Sequence, residues 1–123
     1  MNLIGENITY KPDDQFHLND VSFNFKKGNL YTILGRTLSG KTTFLKTIAG
    51  LLNPDSGNLS FEDNDFIKIP VWERNVAMVY QQFINYPHLN VYDNIIFPLK
   101  QRKISEDQIK KDVEEALKTV GLV

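Results

Sequence analysis

The sequence predicts an α/β fold, and three consecutive segments carry that prediction. Residues 30–34 form a short apolar run, which is typical of a strand covered on both faces. Residues 35–41 form a loop that contains two glycines, and residues 42–49 place four apolar side chains at helical spacing before Gly50. A strand, a glycine loop and a helix in this order predict a βαβ unit with a parallel sheet.

Two further strands are predicted in front of this unit. Residues 3–10 mix β-branched and aromatic side chains, and residues 18–25 alternate apolar with polar side chains. A turn cluster follows each of them, at residues 11–14 and 26–29. The pattern predicts an antiparallel β layer over residues 1–28.

Three elements are predicted between the first helix and residue 98. Residues 59–61 form a short strand with a turn at 62–65, and residues 76–80 form a second apolar strand. Residues 91–97 form a short helix, which we expect Pro98 to end because a residue before proline disfavours the helical conformation.

The clearest helix spans residues 105–120. Ser105 and Gln108 have the spacing of a capping box, and Gly121 is a typical end signal. The apolar face of this helix consists of Ile109, Val113, Ala116, Leu117 and Val120. Because the sequence stops soon after, we expect a truncated domain that lacks strands of its central sheet and exposes apolar surface.

The composition excludes several classes of protein. The chain has 123 residues, 41% of them hydrophobic and 24% charged, which is ordinary for one soluble domain. A net charge of -1 argues against a general nucleic-acid binder. The absence of cysteine rules out disulfides and thiolate metal sites. No secretory signal or long apolar run is present, so any role at a membrane is expected from the aqueous side.

Residues 35–42 fit the phosphate-binding pattern G-x-x-x-x-G-K-[ST], known as the P-loop or Walker A motif. Gly35 lets the chain turn sharply, and Gly40 lets backbone N–H groups approach phosphate oxygens. Lys41 reaches the β- and γ-phosphates, the Thr42 hydroxyl can ligate Mg²⁺, and the helix N-terminus faces the anion. The predicted ATP-binding residues here are Gly35, Arg36, Thr37, Leu38, Ser39, Gly40, Lys41, Thr42 and Thr43.

Along nearly its whole length the chain resembles the first half of an ABC transporter nucleotide-binding subunit. The matching segments, in order, are residues 35–51, 54–57, Arg74, residues 78–81 and residues 86–95. The resemblance implies a partial nucleotide-binding domain over residues 1–123. It would comprise the β layer of 1–28, a P-loop NTPase core over 29–97, and the start of a helical subdomain over 98–123.

The resemblance also implies roles for single residues. Lys41 and Gln81 would be catalytic, with Gln81 at the Q-loop position rather than its neighbour Gln82. Thr42 and Gln81 would hold Mg²⁺, the amide through its oxygen. Tyr10 would stack on the adenine of ATP, with Phe16 as the fallback.

The implied partners are transmembrane permease subunits and a second ATPase subunit in a dimer, at the cytoplasmic face of a membrane and without nucleic acid. Permease subunits would dock at residues 83–97. His88 would be structural or interfacial, and His17 a plain surface residue.

Residues 59–63 do not make a Walker B strand, because the acids are reversed and lie at a turn. Without Walker B, the signature loop and the switch histidine, the chain alone is expected to bind MgATP weakly and not to hydrolyse it.

Leu38 departs from the family pattern, which has glycine at that position and so greater backbone freedom. Residues 37–42 are similar to a loop variant of importers for glycerol, polyols or sugars, and residues 86–89 resemble carbohydrate importers. This resemblance favours import of a sugar, polyol or glycerol phosphate. The alternatives are an ABC exporter, a soluble ABC ATPase of DNA repair or translation, and a P-loop small-molecule kinase.

Overall fold

The structure is a computed structural model that describes residues 2–122. The chain forms two compact units, Met1–Val79 and Tyr80–Val123, and each is described by itself.

The first unit contains an antiparallel sheet of four strands. They are β1 (Asn2–Tyr10), β2 (Leu18–Lys26), β3 (Ser56–Phe61) and β4 (Asn64–Asp65), in the order β2-β1-β3-β4. The central strand β1 pairs with both long neighbours, since Leu3 lies opposite Phe25 on β2 and opposite Phe61 on β3. The predicted antiparallel layer is therefore confirmed, and β3 joins it from later in the chain.

Helix α1 (Lys41–Ala49) packs on one face of this sheet. It ends at Gly50, whose φ of 88° is the left-handed conformation that commonly closes a helix. Both the helix and its end signal were predicted correctly. The core between helix and sheet consists of Ile8, Leu18, Phe44, Leu59 and Phe66.

A tight hairpin joins β3 to β4. Glu62 and Asp63 have φ values of 51° and 63°, and two positive φ angles are what a two-residue type I′ turn requires. These two acids therefore form a turn, as predicted, and do not end a buried core strand.

The predicted strands at residues 30–34 and 76–80 are wrong, because both segments lack regular secondary structure. Leu30, Leu34 and Val79 are 93%, 91% and 97% exposed. A strand forms only against a neighbour that pairs its backbone groups, and neither segment has such a neighbour within residues 2–122. The described part of the chain thus contains no parallel pair, and the expected exposed apolar surface is confirmed.

The second unit pairs two helices, α2 (Val91–Gln101) and α3 (Glu106–Thr119). Their shared core is formed by Ile96, Ile109 and Val113. None of the helices found in residues 2–122 has the length and hydropathy needed to cross a membrane.

Pro98 does not end α2, contrary to the prediction, and the helix continues to Gln101. Proline removes one N–H donor, but its carbonyl still accepts from the Arg102 N–H at 3.2 Å. Ile96 and Leu99 on either side of it pack in the core shared with α3. This packing of the apolar face stabilises the last turn against the local preference of proline.

The start of α3 has only one of the two capping-box bonds. The Ser105 hydroxyl accepts from the Gln108 N–H at 3.4 Å, as predicted. The Gln108 side chain instead donates to Asp112 at 2.7 Å, one turn further along the helix. Val120, predicted on the apolar face, lies at the C-cap and is 67% exposed because the helix ends before it.

Candidate functional site

The loop before α1 contains a tight turn with a leucine in a glycine-like conformation. The Ser39 N–H donates to the Arg36 carbonyl at 3.1 Å, which closes the turn. Leu38, its third residue, has a φ of 66° and a fully exposed side chain. Glycine is favoured at such a position, and a residue with a Cβ loses about 1–2 kcal/mol there. The loop therefore has a backbone conformation typical of glycine at position 38, although the residue there is leucine.

Leu38→Gly should raise the free energy of unfolding by up to about 1 kcal/mol, because relief of the strain exceeds the added flexibility of the unfolded chain. Urea unfolding followed by circular dichroism measures the change. The matched control is Leu38→Ala, which removes an exposed side chain but keeps the strain and should leave the midpoint unchanged. A lower midpoint for Leu38→Gly would contradict this reading of the loop.

The ammonium group of Lys41 lies over the same loop. Its Nζ donates to the carbonyls of Gly35 and Arg36, each at 2.6 Å, and approaches the Ser39 hydroxyl at 3.4 Å. The long side chain thus folds back from the first turn of α1 across the loop. A cation is therefore held at the centre of the loop, at the amino end of the helix.

The amino end of α1 has no side-chain cap. Its N-cap residue is Gly40, whereas Asn90 caps α2 and Ser105 caps α3 through side-chain oxygens. The first N–H groups of a helix need partners, and an anion can supply them while it interacts with the positive end of the helix dipole. With the exposed Thr42 hydroxyl on the first turn, this end can hold a phosphate.

The donor set around Thr42 fits Mg²⁺ bound together with a nucleotide. Within residues 2–122, no three His, Asp or Glu side chains come together as a metal cage. Mg²⁺ is usually held by one or two protein oxygens, several waters and substrate phosphates. One hydroxyl beside a helix end that can hold a phosphate matches that arrangement.

Tyr10 is connected to the start of α1 through His17. The Tyr10 carbonyl accepts from the His17 N–H at 2.9 Å, and the two rings meet edge to face at 5.8 Å. A Cβ on Gly40 would collide with the His17 carbonyl oxygen. His17 also lies 3.4 Å from Asp13, whose pKa is lowered by the Gln15 N–H that it accepts. His17 is exposed, as predicted, yet it contacts both the tyrosine and the loop, which the sequence did not reveal.

Phe16, the fallback for adenine stacking, is 52% exposed. Its ring lies 4.8 Å from the Lys11 ammonium, a cation–π contact.

Arg74 is a buried residue whose role the sequence did not reveal. It is 7% exposed, and burial lowers its pKa. Its guanidinium lies over the Phe66 ring at 4.9 Å and donates only to backbone carbonyls. The acceptors are Ile69 at 2.8 Å and Thr47, Ile48 and Ile67 at 3.2 Å each. Because two acceptors lie in the last turn of α1, Arg74 stabilises the carboxyl end of the helix that follows the candidate loop.

Gln81 belongs to the second unit, where it is exposed and outside any helix or strand. The neighbouring Gln82 has the same description. Residues 83–97, predicted to contact a membrane partner, begin with Phe83 and Ile84, whose side chains are strongly exposed. His88 is also exposed, and its ring lies 6.1 Å from the Tyr86 ring.

Two similar proteins found by comparison carry the same name. The chain is 42% identical over 118 residues to the spermidine/putrescine import ATP-binding protein PotA of Acetivibrio thermocellus, covering 96% of the chain and 34% of that protein. It is 41% identical over 116 residues to the same-named protein of Mycoplasma capricolum, covering 94% of the chain and 33% of the relative. The chain thus spans about a third of the length of these relatives.

A solved structure supports the fold class. The ATP-binding cassette MJ0796, a dimer in a post-hydrolysis state bound to ADP and Pi, superimposes with a TM-score of 0.79 at 27% identity. The match covers 94% of this chain and 56% of that one, and it confirms a P-loop NTPase fold with an antiparallel layer in front. The family model for ABC transporters matches residues 18–123. The chain therefore belongs to the ABC transporter family, within its ATP-binding domain.

Proposed function

We propose that this chain binds MgATP as part of the ATP-hydrolysing subunit of an ABC importer. The observation that carries the proposal is the Lys41 ammonium, held 2.6 Å from two loop carbonyls beside the uncapped end of α1. A triphosphate entering the loop exchanges these carbonyl contacts for charged phosphate oxygens, which form stronger hydrogen bonds with an ammonium group. The relatives, named as import ATP-binding proteins, support import over export.

The roles follow from phosphoryl-transfer chemistry, which depends mostly on positioning and on neutralising charge. In this proposal Lys41 binds the β- and γ-phosphates, and the loop and helix N–H groups hold their oxygens. Bound Mg²⁺ neutralises charge that develops on the phosphates. Thr42 supplies a protein oxygen to it, and Tyr10 stacks on the adenine. For Gln81, catalysis and Mg²⁺ binding stay predictions from the family resemblance alone.

The proposed assembly is a peripheral one at the cytoplasmic face of a membrane. Residues 83–97 contact the transmembrane subunits, and the P-loop faces a second ATPase subunit. The dimeric state of the solved relative supports the second contact. The proposed division of the chain remains 1–28, 29–97 and 98–123.

The relatives favour a polyamine as the transported substrate, since two of them carry spermidine and putrescine in their names. Import of a sugar, polyol or glycerol phosphate stays a prediction from residues 37–42 and 86–89, without support from these relatives. Uptake of labelled spermidine or glycerol 3-phosphate, by vesicles carrying the whole transporter, separates the two. ATP-driven spermidine uptake alone would exclude the sugar or polyol prediction.

Lys41→Ala tests the nucleotide site directly. We expect MgATP affinity, measured by isothermal titration calorimetry, to fall by about tenfold or more because one charge-assisted contact to the phosphates is lost. Lys46→Ala, on the same helix, is the control and should bind as the unmodified chain does. Equal affinities for Lys41→Ala and the control would contradict the proposed site.

A further inference from the structure

The side chain of Asn94 makes four hydrogen bonds to the loop that precedes α2. Its Oδ1 accepts from the Tyr86 N–H at 2.8 Å. The two N–H groups of its Nδ2 are shared among three carbonyls, those of Tyr86 at 3.2 Å, Leu89 at 3.1 Å and Asn90 at 2.8 Å. One primary amide thus uses both its donor and its acceptor groups on the backbone of residues 86–90. We call residues 86–90 the docking loop.

An aromatic contact holds the same loop from a second point. The Tyr86 ring lies 4.8 Å from the Phe97 ring, and Phe97 follows Asn94 by three residues, on a neighbouring position of the helix surface. Within the loop, the Leu89 N–H donates to the Tyr86 carbonyl at 3.0 Å, with Pro87 at the second turn position that proline favours. The docking loop is therefore fixed to α2 by a polar and an apolar contact.

The fixed loop still presents side chains to solvent. Tyr86 is 44% exposed, and Pro87 and His88 are exposed as well. Ordering a flexible loop opposes association, so a loop already held in one conformation binds its partner more tightly. The Asn94 amide on α2 holds the loop through its backbone and leaves the exposed side chains of the loop uncovered.

We infer that Asn94 is a positioning residue that holds the docking loop ready for the transmembrane subunit. The inference rests on the proposed function, and it deepens that proposal by assigning the shape of the contact to one side chain. Asn94 lies within the proposed contact region of residues 83–97, but its side-chain amide is used on the loop, so we assign it to the shape of the loop and not to the contact itself.

The test is Asn94→Asp in the full-length protein, assayed with its membrane subunits in lipid nanodiscs. The new carboxylate keeps the acceptor for the Tyr86 N–H but places an anionic oxygen against three carbonyls. We expect the concentration of membrane subunits that half-saturates ATPase stimulation to rise about tenfold, a loss of about 1.4 kcal/mol in association. The maximal rate and the KM for ATP should stay unchanged, whereas general unfolding would lower the maximal rate.

Asn53→Asp is the matched control, since it makes the same change at an exposed loop position and should leave the half-saturating concentration unaltered. Phe97→Leu weakens the second contact with the loop and should also raise the half-saturating concentration. This variant provides the test if Asn94→Asp does not fold. An unchanged half-saturating concentration in the folded variant overturns the inference alone. Failure of the membrane subunits to stimulate the unmodified protein contradicts the proposed function and the inference with it.

Discussion

Gly40→Ala should lower the free energy of unfolding by about 3 kcal/mol, as two effects act at one residue. Gly40 has a φ of 97°, which strains any residue with a Cβ. The added methyl group would also collide with the His17 carbonyl oxygen, which is backbone and cannot rotate away. Relief requires the chain at His17 to move, and the Tyr10 carbonyl bonded to its N–H moves with it.

Gly28→Ala separates the two effects. Gly28 has a φ of 83°, but a Cβ there would meet no atom within 4 Å. The control therefore carries backbone strain alone and should cost about 1 kcal/mol. Urea midpoints of both variants give the difference, and equal losses would show that the contact with His17 is unimportant.

Arg74→Ala should lower the free energy of unfolding by about 3 kcal/mol. The substitution removes the donor for four carbonyls and leaves a cavity where the guanidinium met Phe66. The last turn of α1 then loses its connection to residues 67–69. Chemical denaturation measures the loss, with the exposed Arg102→Ala as a control that should change it by less than about 0.5 kcal/mol.

Arg74→Lys distinguishes charge from geometry. Lysine keeps a positive charge, but its single nitrogen cannot reach acceptors spread around a planar guanidinium. We therefore expect Arg74→Lys to remain destabilised, by about 2 kcal/mol. Full stability of this variant would mean that a cation suffices and that the four directed hydrogen bonds do not matter.

Local patterns predicted the elements whose causes are local. Three patterns each span only a few residues: the apolar–polar alternation of β2, the apolar spacing of α1 and the glycine after that helix. The structure agrees with each. Residues 30–34 and 76–80 have the composition of strands, but a strand also needs a paired neighbour. Pro98 predicted a helix end that does not occur, because packing between α2 and α3 outweighs the local preference of proline.

The same division holds for the candidate site. The motif at residues 35–42 predicted a loop before a helix with Lys41 at its start, and the structure has both because these glycines and the lysine act within one loop. Phosphate binding there stays a prediction. The sequence singled out Arg74 only through the family resemblance, since two of its four carbonyl acceptors, on Thr47 and Ile48, lie 27 and 26 residues earlier in the chain. No local pattern predicted the hydrogen bonds of Asn94. Its contact with Tyr86, eight residues earlier, can be understood only once the position of α2 is known. Side chains that bind backbone carbonyls have no motif that a pattern can detect.

The exposed segments 30–34 and 76–80 have a consequence for amide hydrogen exchange. Their backbone groups take part in none of the strand pairs of residues 2–122, whereas both sides of β1 are paired. In deuterated water their amides should exchange within seconds, and those in the centre of β1 far more slowly. Any sequence that adds neighbouring strands would slow exchange at these two segments first. Deuterium uptake there would therefore report, residue by residue, whether either segment gains a strand partner.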